Sequence, residues 1–502
     1  MFKALPLSLV GFIPRSAAVG LLLAAVLIAL LTATTARAEL RAGASVTDIT
    51  PLAKHFPISV AGSMGRNTVD RTEERIHCRT LVLGDADTLV GFTIVDSALL
   101  DRELIEEAKR QASDRTGIPA DHLNIAASHT HSAPAGAPAF QNRPSLEYQI
   151  YLAGRIADSI AAAFERLEPC EVGWAVGQDP TQVFNRRWHT KEPYENPLGD
   201  EDTVRMNPGY NKGNGTVTGP AGPVDPDVPV LAVRALAEPE RPLALLSNYA
   251  LHYVGNPART ADGKGQLSGD YFARFAEILG GMIAPERDDF VAILSNGASG
   301  DINNNNYGGP PPEKRYAPGE KIEEVAQSVA EAAYAAWQNI EYHRELPVAV
   351  AARDLELGVR KPDQEEVDRA LDILSSPTEF LNGNYSAREA IYARETLEMR
   401  EYPDTVPVRL QSVRLGDLCI NTTPCETFVE IGLDLKERSP FGTTFLIELA
   451  NGYNGYLPTP QQHAWGGYET WRAKSSYLEV DASEKIVAAF DEMMAELEAS
   501  SQ

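Results

Sequence analysis

Two histidines, His129 and His131, flank a single threonine in the run Ala127-Ser128-His129-Thr130-His131-Ser132-Ala133-Pro134-Ala135-Gly136. The residues before them, Leu123 to Ala127, are few and apolar and predict a buried strand, so the pair sits where a strand runs out into a small-residue loop. In α/β sheets that is the usual place for ligands and chemistry. Residues two apart in an extended stretch face the same side, which turns both imidazoles toward one cavity. Neutral imidazole binds zinc well, and a pair gives the start of a metal site plus a group for proton transfer. Two solvated loop histidines are the alternative that this motif alone leaves open.

Zinc takes three or four ligands, so His129 needs partners from distant parts of the chain. His252, in Ser247-Asn248-Tyr249-Ala250-Leu251-His252-Tyr253, ends another apolar strand; a core histidine would look the same. Glu426, in Thr423-Pro424-Cys425-Glu426-Thr427-Phe428, follows a strand ending at Ile420 and opens an amphipathic helix. Helix starts favour carboxylates in any case. Tyr453 and Tyr456 lie among glycines just past a strand end, where a phenolate could ligate a metal or a phenol donate to an oxyanion. The stretch Leu294 to Asn306 feeds a strand into a loop with Ser299, Asp301 and Asn303, whose amides could line a polar pocket or simply face water. Arg186, in Phe184-Asn185-Arg186-Arg187, is the nearest partner for an anion or a carbonyl.

The elements that must position these residues alternate between strand and helix. Strands are predicted at 88–95, 123–127, 243–249, 290–294, 348–357, 406–420 and 444–449, and helices at 101–116, 146–167, 321–337, 364–374, 387–399, 428–436 and 483–497. In the second helix Ile150, Leu152, Ile156, Ile160 and Phe164 fall near helical spacing. The segment from Pro193 to Pro226, rich in Gly, Asn, Asp and Pro, is predicted to be a long surface loop. This order predicts an α/β fold, a mixed β-sheet core with helices on its faces, in one large catalytic domain over residues 39–502.

The first 38 residues predict a secretory signal: Lys3 and Arg15, an apolar run from Ala17 to Leu31, then Ala36-Arg37-Ala38, with cleavage expected after Ala38. The protein is therefore expected to be secreted or periplasmic, with no stable membrane insertion after cleavage. The formal charge of −25 becomes −28 once Lys3, Arg15 and Arg37 leave. Such a surface repels nucleic acid and anionic lipid headgroups. Cys78, Cys170, Cys419 and Cys425 show no zinc spacing and could form two disulfides in an oxidising compartment, Cys419 and Cys425 being nearest in sequence. They are expected to be structural or free rather than catalytic.

Taken in order, several motifs resemble the neutral/alkaline ceramidase family, zinc amidases that hydrolyse N-acylsphingosine. They are Thr47-Asp48-Ile49-Thr50-Pro51, the His-Thr-His-Ser-x-Pro-x-Gly run, Asn185-Arg186, the strand ending at His252, Gly300-Asp301, Pro424-x-Glu426, and Asn451-x-Tyr453-x-x-Tyr456. The ordered set is far more specific than any member of it. By this likeness His129, His252, Glu426 and Tyr456 correspond to ligands of Zn2+, with Tyr453 competing for the last place. His131 and Arg186 correspond to polar groups beside the metal. Two departures stand out. The family's Gly-Asp-x-Ser-Pro-Asn stretch reads Gly300-Asp301-Ile302-Asn303-Asn304-Asn305, and Asn303 cannot form an acyl-enzyme. The likeness also ends with the catalytic region, without the family's C-terminal β-sandwich. The resemblance thus implies hydrolysis of a small-molecule or lipid amide by metal-activated water, with His131 and Arg186 in the reaction and Asp301 and Asn303 binding substrate or orienting ligands. A polar sugar-linked or peptide-like amide or ester as substrate, or a binding protein of the same fold without turnover, are the alternatives.

Overall fold

Short apolar runs between turn residues become the strands of two sheets, and the computed structural model describes them over residues 39–375, 380–381, 384–385 and 387–500. The expected signal, 1–38, lies outside the described residues. The larger sheet has nine strands. Eight of them are β1 (Arg41–Asp48), β2 (His77–Gly84), β3 (Leu89–Val95), β4 (Leu123–Ala127), β5 (Glu168–Gln178), β6 (Asp227–Ala235), β7 (Pro242–Tyr249) and β8 (Val291–Asn296). Their spatial order is β8-β7-β6-β5-β1-β2-β3-β4, and β9 (Glu341–His343) pairs beside them on β5. The second sheet runs β10 (Val348–Gly358), β11 (Thr405–Leu415), β12 (Leu418–Thr422), β13 (Thr443–Ile447).

In these two sheets only three neighbouring pairs are parallel: β3 with β4, β7 with β8, and β12 with β13. Parallel pairing needs a crossover. Helix α1 (Arg102–Thr116) bridges the first pair. After α2 (Leu146–Glu165), helix α3 (Asp270–Ile283) bridges the second. After α4 (Glu320–Trp337), helix α5 (Val429–Arg438) bridges the third, and α6 (Ala482–Ala499) ends the described chain. Local sequence fixes the helix ends: α1 stops at Gly117, whose φ of 76° is the left-handed cap glycine takes without strain. The Ser145 side chain caps α2 by accepting from the Tyr148 N–H.

Helices α1 to α4 cover one face of the large sheet, the second sheet packs on the other, and α5 and α6 close the far side. In α2, Leu152, Ile156 and Ile160 are buried in that core, whereas Ile150 is 66% exposed and lies off the apolar stripe predicted for it. The large sheet curls until β8 comes against β3 and β4. The segment after β13 ties the two edges together. The Glu448 N–H donates to Asn296 O at the end of β8, while Ala127 N–H donates to Leu449 O and Asn451 N–H to Ile125 O, both on β4.

Two predicted segments differ. Residues 406–420 are a hairpin, not one strand, because the chain turns at Gly416 with φ of 65°. Residues 193–226 are not one long loop: Arg187–Glu195, Glu201–Met206 and Val217–Pro220 pair into a three-stranded sheet. All four cysteines are buried free thiols. No described helix is long and apolar enough to cross a membrane.

Candidate metal centre

The C-terminal ends of the three parallel pairs converge. His129 lies just past β4, His252 just past β7 and Glu426 just past β12, and the curled sheet brings these ends together. His129 Nε2 stands 2.9 Å from His252 Nε2 and 3.4 Å from His131 Nε2. Glu426 Oε2 is 3.3 Å from His129 Nε2 and 3.6 Å from His252 Nε2. His129, His252 and Glu426 are buried, and His131 is partly exposed at the cavity wall, stacked on Tyr253 with centroids 3.6 Å apart. Strand alternation is not what unites His129 and His131. Both follow the end of β4, and His129 takes a left-handed φ of 75°, strain of a kind that proteins keep at functional sites.

Each imidazole is held through its other nitrogen. Nδ1 of His129 bonds Ala98 O at 2.9 Å, Nδ1 of His252 bonds Ser299 O at 3.0 Å, and Nδ1 of His131 bonds Gly62 O at 2.9 Å. Ala98 follows β3 and Ser299 follows β8, so each ligand strand's parallel partner orients its histidine. A carbonyl only accepts, so each Nδ1 carries a hydrogen and each ring turns its Nε2 inward. Burial drives the imidazolium forms of His131 and His252 well below their ordinary range, which keeps both rings neutral. Gly62 can be no other residue, since an added Cβ would fall 2.4 Å from His131 Cβ.

Burial works against the Glu426 carboxylate, yet His129, Tyr456 and Arg186 hold its pKa below the ordinary value. Its Oε1 accepts from Tyr453 Oη at 2.9 Å, while its buried Oε2 receives no hydrogen bond. An orphaned buried acceptor costs about 1–3 kcal/mol. An orphan oxygen among converging imidazole nitrogens, each fixed from behind by a carbonyl, is the arrangement a divalent cation satisfies. His129, His131 and His252 form a group whose ligand atoms lie within 4.8 Å of one another and could hold a metal ion.

Residues 426–427 pair in parallel with residues 456–457, which sets Tyr456 beside Glu426. Arg186 Nη2 donates to Tyr456 Oη at 3.1 Å, and its Nε donates to Glu469 Oε1 at 2.8 Å. Arg187 Nη1 donates to Glu469 Oε2 at 2.7 Å. Arg186 thus reaches the site through Tyr456, its charge shared with Glu469. Burial and Glu426 raise the Tyr456 pKa, and Arg186 opposes them.

No protein-family model matches the chain, nor does any curated protein sequence. Solved structures do match. The neutral ceramidase from Pseudomonas aeruginosa aligns with a TM-score of 0.66 at 16% identity over 92% of this chain and 75% of that one. A ceramidase complexed with C2 gives a TM-score of 0.66 at 16% identity over 92% and 76%. The fold is that of neutral ceramidase.

Within this ceramidase fold, a cavity opens over the histidines, walled by Ala98, Leu99, Phe140, Tyr453, Tyr456 and Tyr468. Asp301 and Asn303 do not line it. The Asp301 carboxylate accepts from Asn185 Nδ2 at 2.6 Å and from the Val429 N–H at 2.9 Å, and its carbonyl accepts from the Arg186 N–H at 2.8 Å. Burial pushes its pKa up to about 6. Asn303 pairs with Phe184 and donates to Asn207 Oδ1 at 2.8 Å. Both residues fix the segment carrying Arg186. Ser299 Oγ donates to Glu448 Oε1 at 2.7 Å and faces no cavity lining.

Glu448, Glu469 and Tyr468 were not singled out from sequence. The buried Glu448 carboxylate accepts from Asn296 Nδ2 at 2.9 Å, from Ser299 and from the Thr427 N–H at 2.8 Å. It therefore joins the loop whose carbonyl orients His252 to the residue after Glu426. A lone acidic residue after a strand carries no sequence signal of that role.

Proposed function

We propose that the chain is a zinc-dependent amidohydrolase that cleaves an N-acyl amide, the bond class of ceramide, and that it works outside the cytoplasm after losing residues 1–38. The unpartnered Glu426 Oε2 among the imidazole nitrogens, at the floor of a cavity with apolar walls, carries this reading. His129, His252, Glu426 and Tyr456 would hold the zinc. Tyr456 is preferred over Tyr453 because Tyr453 already gives its hydrogen to Glu426, whereas the Tyr456 oxygen faces the Arg186 guanidinium. Zinc so held polarises a carbonyl and acidifies water.

The side chains supply the rest. His131, neutral and tied to Gly62, takes a proton at Nε2 and passes it to the leaving amine. Arg186 steadies negative charge at Tyr456 without entering the cavity. Ala98, Leu99 and Phe140 offer an apolar wall for the acyl chain. Asn303 forms no acyl-enzyme, and attack by water needs none. The polar residues 303–306 contribute nothing to the cavity lining.

The test is zinc content together with fatty-acid release from N-lauroyl amides, for wild type and His129→Ala. We expect stoichiometric zinc and hydrolysis in the first and neither in the second. Wild-type protein with zinc and no turnover on any N-acyl amide would mark a binding protein instead. His129→Ala with full metal occupancy would discard this ligand set.

A further inference from the structure

A second cavity, of about 390 Å3, adjoins the first. Tyr468 lines both, and the loop that gives Gly62 and Ser63 to the metal cavity gives Met64 to this one. Two arginines border it. The Arg205 guanidinium lies 4.8 Å from the Tyr194 ring centroid, and that of Arg388 lies 5.6 Å from the Trp471 ring. Both residues are exposed, and neither has a carboxylate or carbonyl partner among the described residues. The chain carries 70 acidic residues against 45 lysines and arginines, so carboxylates are plentiful. Of the two glutamates on the rim, Glu195 leans to Arg369 at 3.7 Å, and Glu389 pairs with neither arginine. Ring contact orients a guanidinium and leaves its N–H edge free for a planar carboxylate.

The wall between the cavities is fixed. Asn207 borders the second cavity, its N–H donates to Arg186 O at 2.8 Å, and its side-chain oxygen accepts from Asn303 and from Tyr307 Oη at 3.1 Å. The residue that holds Tyr456 at the metal site is thereby tied to the wall of the arginine cavity.

We propose that the amine half of the substrate carries a carboxylate bound by Arg205 and Arg388, so that the preferred substrates are N-acyl amino acids. This rests on the amidohydrolase reading and narrows it. The acyl chain lies along Leu99 and Phe140, the amide reaches the histidines, and the carboxylate is presented at Tyr468, where the two cavities meet and the arginines reach it. Hydrolysis joins the oxygen of water to the acyl carbon, breaks the carbon–nitrogen bond and delivers a proton of that water to nitrogen. A fatty acid and a free amino acid result.

The experiment compares N-lauroylglycine with N-lauroylethanolamine, which has the same chain without the charge, on wild type and on the Arg205→Met/Arg388→Met double variant. In wild type we expect kcat/KM to favour the glycine conjugate by about tenfold or more. In the double variant that preference should vanish, with zinc content and ethanolamide turnover unchanged. Zinc with equal turnover of both amides overturns the inference and leaves the amidohydrolase standing. Should neither amide be hydrolysed, calorimetric titration of the metal-depleted protein decides. Tighter binding of N-lauroylglycine that the double variant loses supports the inference, and equal binding overturns it.

Discussion

In the histidine cavity three imidazoles are each anchored through Nδ1 to a backbone carbonyl, whereas in the cavity beside it Arg205 and Arg388 rest on aromatic faces. The difference follows from what each would hold. A metal ion tolerates little error in ligand position, and the residues that would hold one sit just past strand ends, the histidines braced by a second set of hydrogen bonds with His129 in a left-handed conformation. A ligand that brings its own charge needs cations not already neutralised by the protein. Pairing Arg205 or Arg388 with a glutamate would stabilise the empty cavity and spoil it.

Variants that break one cavity should spare the other. The largest effect is expected for Glu426→Gln, which replaces the orphan acceptor: bound metal and hydrolysis should both disappear by metal analysis and activity, while the circular dichroism spectrum stays native. Glu448→Gln should come next. An amide there turns a donor toward groups that already donate, so metal affinity measured by chelator competition should fall by about 10–100-fold. Tyr456→Phe should weaken metal binding more than Tyr453→Phe in the same titration, because the second change removes only a hydrogen bond to Glu426. The reverse order would give the ligand role to Tyr453. Away from both cavities, Ile156→Ala should cost about 2–5 kcal/mol in urea unfolding. Exposed Ile150→Ser should shift stability by under about 0.5 kcal/mol and leave zinc content unchanged.

What was legible from sequence follows the same division. His129, His252 and Glu426 could be found because each ends an apolar run, and apolar periodicity is the signal a buried strand cannot hide. The helices and most strands were readable for the same reason. The strands between 187 and 220 were not, because the sheet is small and Glu201–Met206 alternates by burying Asp202 as well as Val204, so no apolar alternation marks it in the sequence. The turn at Gly416 was missed inside a run apolar on both sides. Asp301 was singled out by its motif, but its carboxylate is consumed in holding the segments of Asn185 and Val429. Glu469 acts through contacts more than two hundred residues away in sequence, and Glu448 joins Asn296 and Ser299, about 150 residues away, to Thr427, links that no local pattern encodes.

The most direct test is crystallographic, with diffraction collected on both sides of the zinc absorption edge. We expect one anomalous peak about 2.0–2.2 Å from His129 Nε2, His252 Nε2 and Glu426 Oε2. A map with no peak there, or with the metal bound elsewhere and Glu426 Oε2 satisfied by water, would contradict the account.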